Sequence, residues 1–326
     1  MSNGQTMSCK KNIELGDHLI LGFYGVSKVD SEVKQAKELL KLGKIRGVIL
    51  FKDNIISPRQ LKSLISFLKT GTRKDIIIAV DQEGGKVSRI NQSNGFEFTL
   101  KAADQYKDTQ EVYSEFYKIG KILSDVGVTL NLAPVLDVNV NLESPAIGKI
   151  GRSFSSNPQI VATYGATAIK GLKDNKVDSC GKHFPGHGSA TNDSHLGWTD
   201  ISDTWNREVE LFPFIALQKQ LPYIMVAHVY NKNLDAALPA SLSPKVYNML
   251  PNYTGKFITD CYFMKAIAEK YQEHEFAYKA IIAGADLVIF GRSINAILEL
   301  NKPLLPLKIF VGNLHDDFNN LNCLSN

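Results

Sequence analysis

The chain of 326 residues is 44% hydrophobic and 21% charged, the make-up of a globular protein with an ample core, which excludes a disordered chain. Its 37 Lys and Arg stand against 33 Asp and Glu, an excess too small and too scattered for a nucleic-acid-binding surface. No apolar run reaches membrane-spanning length and residues 1–17 lack the apolar stretch of a signal peptide, so the expectation is a cytoplasmic protein that touches neither nucleic acid nor membrane.

Residues 1–16 read as a polar extension. From 17 to about 291, short apolar β-rich runs alternate with longer segments of helical period. Strands are expected at 18–24, 47–51, 75–80, 129–133, 178–182, 223–228, 256–259 and 285–290. Most are continuous apolar runs, the pattern of strands buried on both faces in a parallel sheet. Helices expected at 31–42, 58–68, 110–126, 158–174, 204–218, 243–250 and 261–283 supply the crossovers such a sheet needs. This alternation favours an α/β fold, a single-domain (β/α)8 barrel of the TIM type, over a doubly wound open sheet. Beyond the eighth strand an irregular tail over 292–326 is expected, with a short helix at 293–300 and, after Pro303 and Pro306, an extra strand or buried segment at 308–311. Four cysteines, at 9, 180, 261 and 323, show no paired metal spacing and fit a reducing compartment.

A barrel of this kind builds its site at the C-terminal ends of its strands, and polar residues collect there. After strand 3 comes Asp81-Gln82-Glu83-Gly84-Gly85 with Arg89 beyond it, and after strand 4 a run ending in Asp137. Strand 5 leads into Gly181-Lys182-His183 and a glycine-rich loop that carries His187, Asp193 and His195. Strand 6 ends at His228 and strand 7 at Asp260. Each has a plain structural reading as well as a chemical one. Asp260 is either a helix N-cap or a nucleophile for a sugar's anomeric carbon. Asp81 can be a turn-former, Arg89 a surface ion-pair partner, and His228 a satisfied core histidine or a ligand of substrate. Lys182 at the end of a buried strand needs a partner or a ligand. A carboxylate two residues from an imidazole, as in Asp193 and His195, can orient the ring for proton transfer. The histidine spacing does not form a metal set, and no metal or cofactor is expected.

At these residues the sequence resembles glycoside hydrolase family 3, specifically its single-domain β-N-acetylglucosaminidase (NagZ-type) branch. The resemblance runs over about residues 18–291. It rests on Gly47-Val-Ile-Leu-Phe51, Asp81-Gln-Glu-Gly-Gly85 with Arg89, Leu132-Ala-Pro-Val-Leu-Asp137, Arg152-Ser-Phe154, Lys182-His-Phe-Pro-Gly-His-Gly188, Asp193-Ser-His195, and Thr259-Asp260 with Met264. It implies Asp260 as catalytic nucleophile and His195, oriented by Asp193, as general acid/base. It further implies Asp81, Arg89, Arg152, Lys182 and His183 as groups that hold the sugar, a set to which Met264 and His228 are added as candidate binding residues. His187 is left with no role beyond bracing the loop, and residues 186–192 are expected to be a flexible tether for the dyad. Ser189 and Cys261 stand where the family commonly has Asp, and Asp or Ala, and the approach to Arg152 departs from the usual Gly-Asp-Arg-Ser-Phe.

The expected reaction is a retaining double displacement that removes terminal β-linked N-acetylglucosamine, with muropeptide fragments of cell-wall recycling as the substrate and a monomer or weak homodimer as the working unit. A phosphorylase of the same family, using phosphate in place of water, and a catalytically silent sugar-binding barrel are the alternatives.

Overall fold

The computed structural model describes residues 15–292. Eight parallel strands close into a barrel: β1 (Leu19–Gly22), β2 (Gly47–Leu50), β3 (Ile77–Val80), β4 (Leu130–Asn131), β5 (Asp178–Phe184), β6 (Tyr223–Val226), β7 (Lys256–Cys261) and β8 (Leu287–Arg292). Neighbours in sequence are neighbours in the sheet, and β1 pairs with both β2 and β8 to complete the circle. All eight expected strands are therefore present and the expected (β/α)8 barrel is the fold.

Strand alternation explains the continuous apolar runs. Ile20, Ile49, Ile77, Ala79, Leu130, Leu132, Met225, Ile258 and Ile289 form an inner cluster along the barrel axis. Their chain neighbours Leu19, Leu21, Val48, Leu50, Ile78 and Val80 belong to a second cluster, packed outward against the helices. With a period of two, one face of each strand fills the barrel and the other seats the helical layer.

The helical layer holds α1 (Ser31–Lys41), α2 (Pro58–Lys69), α3 (Thr109–Val126), α4 (Pro158–Lys173), α5 (Arg207–Glu210), α6 (Phe212–Leu217), α7 (Pro244–Tyr247), α8 (Lys265–Ala268) and α9 (Glu273–Ala283). In α2 the Ser57 side chain caps the Gln60 amide, Pro58 opens the first turn, and Leu61, Leu64, Ile65 and Leu68 form the buried stripe. Close approach of α3 and α4 depends on Gly171, where a Cβ would meet the α3 backbone at 2.8 Å.

Two helical expectations are corrected. The segment read as one helix over 204–218 is two short ones, α5 and α6, with Pro213 in the first turn of the second. The segment read as a helix over 261–283 begins as strand, because β7 runs on to Cys261, and only then forms α8 and α9. Between those helices the Tyr271 carbonyl accepts from the Tyr262 hydroxyl at 2.6 Å. The extension at 1–14 and the expected helix and strand beyond 292 lie outside the described residues. No helix of the described residues is long and apolar enough to cross a membrane.

Candidate active site

A cavity of about 660 Å³ opens at the C-terminal ends of the strands, and Asp81, Arg89, Arg152, Lys182, His183, Asp193, His195, Asp260 and Met264 all line it. Residues from Asp81 to Met264 meet there because each lies near or beyond the C-terminal end of a barrel strand.

The β3 end is built by Gln82. Its backbone amide donates to Asn131 Oδ1 on β4 (3.0 Å), and its side-chain carbonyl accepts from the amides of Arg89 and Ile90 (2.9 and 2.8 Å). This holds the hairpin of Gln82–Gly84 and Val87–Ser88 and returns Arg89 to the mouth. Asp81 and Glu83, two apart on the same face, receive the Lys182 ammonium at 2.8 and 2.6 Å. Arg89 lies 3.9 Å from the other oxygen of Asp81, and its Nε is buried without a protein partner. Glu83 also takes a two-pronged bond from Arg152, with Nε and Nη2 each 2.8 Å from a carboxylate oxygen. Burial pushes the Glu83 carboxyl up, but Arg152 and Lys182 overcome it and hold the group ionised well below the usual range. The same carboxylates hold the Lys182 ammonium above its ordinary value against burial.

Asp137, fully buried at the end of the β4 run, organises the next layer. Its Oδ2 bonds His183 Nδ1 at 2.6 Å, and its Oδ1 accepts from the amides of His183 (3.1 Å) and His187 (2.8 Å). His183 Nε2 lies 3.1 Å from Arg152 Nη2. Arginine only donates, so in the neutral ring Nε2 accepts and the hydrogen sits on Nδ1, facing Asp137.

Asp260 stands on β7, five residues ahead of α8, and among the described residues the hydrogen bond to its side chain is from the next amide, Cys261 N, at 2.7 Å. It is not an N-cap, a place taken by Met264. Burial raises its pKa, yet His183, His228 and His195 around it bring the value down to about 2. An ionised carboxylate without a cation bonded to it is the state a nucleophile needs. Across the cavity, Asp193 Oδ1 bonds His195 Nδ1 at 2.8 Å and the His195 amide at 2.9 Å, which leaves Nε2 of the half-exposed ring to carry a proton. Burial raises the Asp193 carboxyl, and the two bonds from His195 outweigh it.

The loop between these groups is firmer than expected. Residues 183–190 are buried, Ser189 N donates to Glu210 Oε2 (3.1 Å), and a Cβ on Gly188 would fall 1.7 Å from the Val138 carbonyl oxygen. The exposed part of the tether is confined to Thr191 and Asn192. His228 is also corrected: it lies behind the cavity wall, bonded to Ser241 Oγ (2.8 Å) and the Cys261 carbonyl (3.1 Å), edge-on to Phe276. It is placed as a core histidine, and burial pushes its imidazole down against the nearby Asp260. Burial pushes the Cys261 thiol, on the wall of the cavity, up to about 12.

Glu83 and Asp137, whose positions in the sequence suggest no role of their own, organise the groups around the cavity. The signal for both lies in their neighbours. A buried Lys182 demands more than one negative neighbour, and Glu83 shares a strand-end face with Asp81. Asp137, at the end of its strand, was the nearest acid for two histidines whose loop begins on the adjoining strand.

The family model for the glycosyl hydrolase family 3 N-terminal domain matches residues 20–306. Beta-hexosaminidase A of Pseudoalteromonas piscicida is 31% identical over 297 residues, covering 82% of this chain, which spans about half of that relative's length (49%). Among solved structures, a family 3 β-N-acetylglucosaminidase from Paenibacillus sp. str. FPU-7 superposes with a TM-score of 0.78 at 32% identity over 86% of this chain and 54% of its own. NagZ from Neisseria gonorrhoeae, in complex with N-trifluoroacetyl-D-glucosamine, superposes with a TM-score of 0.72 at 27% identity, over 86% of this chain and 83% of its own.

Proposed function

The chain belongs to glycosyl hydrolase family 3, and from that premise we propose that it is a retaining exo-β-N-acetylglucosaminidase. One observation carries the reading: an ionised, cation-free Asp260 and the Asp193–His195 pair line the same cavity. An Asp260 oxygen attacks the anomeric carbon while His195 Nε2–H protonates the departing glycosidic oxygen, giving a glycosyl ester. Water then gives its proton to the now neutral His195 and adds to the anomeric carbon, which frees Asp260. Histidine thus takes the place of the second carboxylate of the usual scheme. The cations Arg89, Arg152 and Lys182, with Asp81 and His183, form the wall that holds the hydroxyl and amide groups of the sugar.

The hexosamine preference is supported by the names of the relatives and by the N-acylglucosamine bound to the Neisseria structure. Muropeptide fragments, in the cytoplasm, are the natural substrate in this reading. Asp260→Ala should abolish turnover of aryl β-N-acetylglucosaminides. His195→Ala should slow substrates with poor leaving groups by about 10²–10⁴-fold and activated aryl substrates far less. Near-normal rates in Asp260→Ala would remove the assignment. Running the same assays with and without phosphate, and with purified muropeptides, separates hydrolysis from phosphorolysis and identifies the aglycone.

A further inference from the structure

Ser194 sits between Asp193 and His195, and unlike the half-exposed His195 its side chain is buried. Its hydroxyl lies 3.0 Å from His187 Nε2, and its carbonyl accepts from Ala266 N at the start of α8 (3.2 Å). His187 is itself fixed from behind: its amide donates to Asp137 Oδ1, and its ring packs edge-on against His183 at 5.8 Å. Burial, with His183 beside it, lowers the His187 imidazole to about 4, so the ring is neutral near pH 7 and has one N–H. Nδ1 is buried with no hydrogen-bond partner among the described residues. A bare lone pair is the cheaper group to leave there, which puts the hydrogen on Nε2 and makes Ser194 Oγ its acceptor.

We propose that the His187–Ser194 hydrogen bond is a positioning link that docks the Asp193–His195 loop on the floor of the sugar site, through the carboxylate of Asp137 that also holds His183. This rests on the reading of His195 as acid/base. Neither His187 nor Ser194 lines the cavity, and both side chains are buried. Their effect on rate must pass through the placement of the dyad, where a displacement of about 1 Å costs on the order of 10²-fold.

The test measures kcat and KM on an activated aryl β-N-acetylglucosaminide and on one with a poor leaving group, for wild type, His195→Ala, Ser194→Ala, His187→Ala, His187→Gln and the double variant. Ser194→Ala removes the link with almost no change of volume, which guards against a folding defect in His187→Ala. The link predicts that Ser194→Ala and His187→Ala lose about 10- to 100-fold in kcat on the poor leaving group, with KM and the activated substrate changed less than about 3-fold. The double variant should be no worse than either single one, and His187→Gln, which keeps an N–H, should recover part of the loss. Equal losses on both substrates, or none, in Ser194→Ala beside a selective loss in His195→Ala would overturn the link alone. The absence of a selective loss in His195→Ala would overturn the acid/base reading and the link with it.

Discussion

Lys182 keeps its charge at 1% exposure because Asp81 and Glu83 both reach its ammonium. Glu83 does more than Asp81, since it also holds Arg152 by two bonds and is itself nearly buried. Its removal leaves Arg152 without its carboxylate and Lys182 with Asp81 alone, the circumstance in which a broken buried pair costs about 3–5 kcal/mol. Glu83→Gln should therefore lower unfolding stability by about that amount and raise KM, with a smaller effect on kcat, because it loosens groups that hold the sugar rather than those that move protons. Chemical denaturation and steady-state kinetics check both parts. An unchanged KM would show that Arg152 and Lys182 do not depend on Glu83 for their placement. The sequence identified Lys182 as a residue in need of a partner but not which acid would answer, because ion-pair geometry depends on where two strand ends meet. His228 was misplaced for the same reason: one strand end can face the cavity or the wall behind it, and alternation does not say which once the strand has ended.

At the scale of elements, α5 governs the glycine-rich loop. Glu210 is fully buried, and its oxygens accept from Ser189 N on the loop and Asn206 N at the helix start. Burial raises its carboxyl to about 7, against the bonds from Ser189 that lower it. Unfolded, the same group loses its proton near 4.5, so between those values the folded state binds more protons and stability falls as pH rises through the window. Glu210→Gln, which stays neutral, should gain in melting temperature relative to wild type as pH goes from 5 to 8. A difference that stays constant over that range would show that Glu210 does not titrate there. The regular elements were legible from period and apolar runs, because the inner and outer faces of every strand are both buried. The breaks at Pro213 and after Cys261 were less so, since amphipathic spacing continues across them.

For the molecule as a whole, barrel closure is what turns eight separate strand ends into one site. The elements of the proposed chemistry come from several strands of the ring: the cations from the segments after β3 and β4 and from β5, the nucleophile from β7, and the proton carrier from the loop after β5. The firm anchoring of residues 183–190 leaves a short hinge for that carrier, so the dyad is held near the cavity before substrate arrives. The barrel itself was legible because its signal, the β/α alternation, is periodic and repeated. The internal network was legible only in part: the barrel order brings Asp137 beside His183 and His187, but the bond from His187 to Ser194 depends on how the loop folds back. The central claim is that Asp260 bonds to the sugar. A 5-fluoro aryl β-N-acetylglucosaminide, whose ring fluorine disfavours the oxocarbenium-like transition state, should accumulate as glycosyl enzyme. After proteolysis, mass spectrometry should find the added sugar on the peptide that contains Asp260. A sugar on any other peptide, or turnover with no labelled enzyme and an inverted anomer at first release, would contradict it.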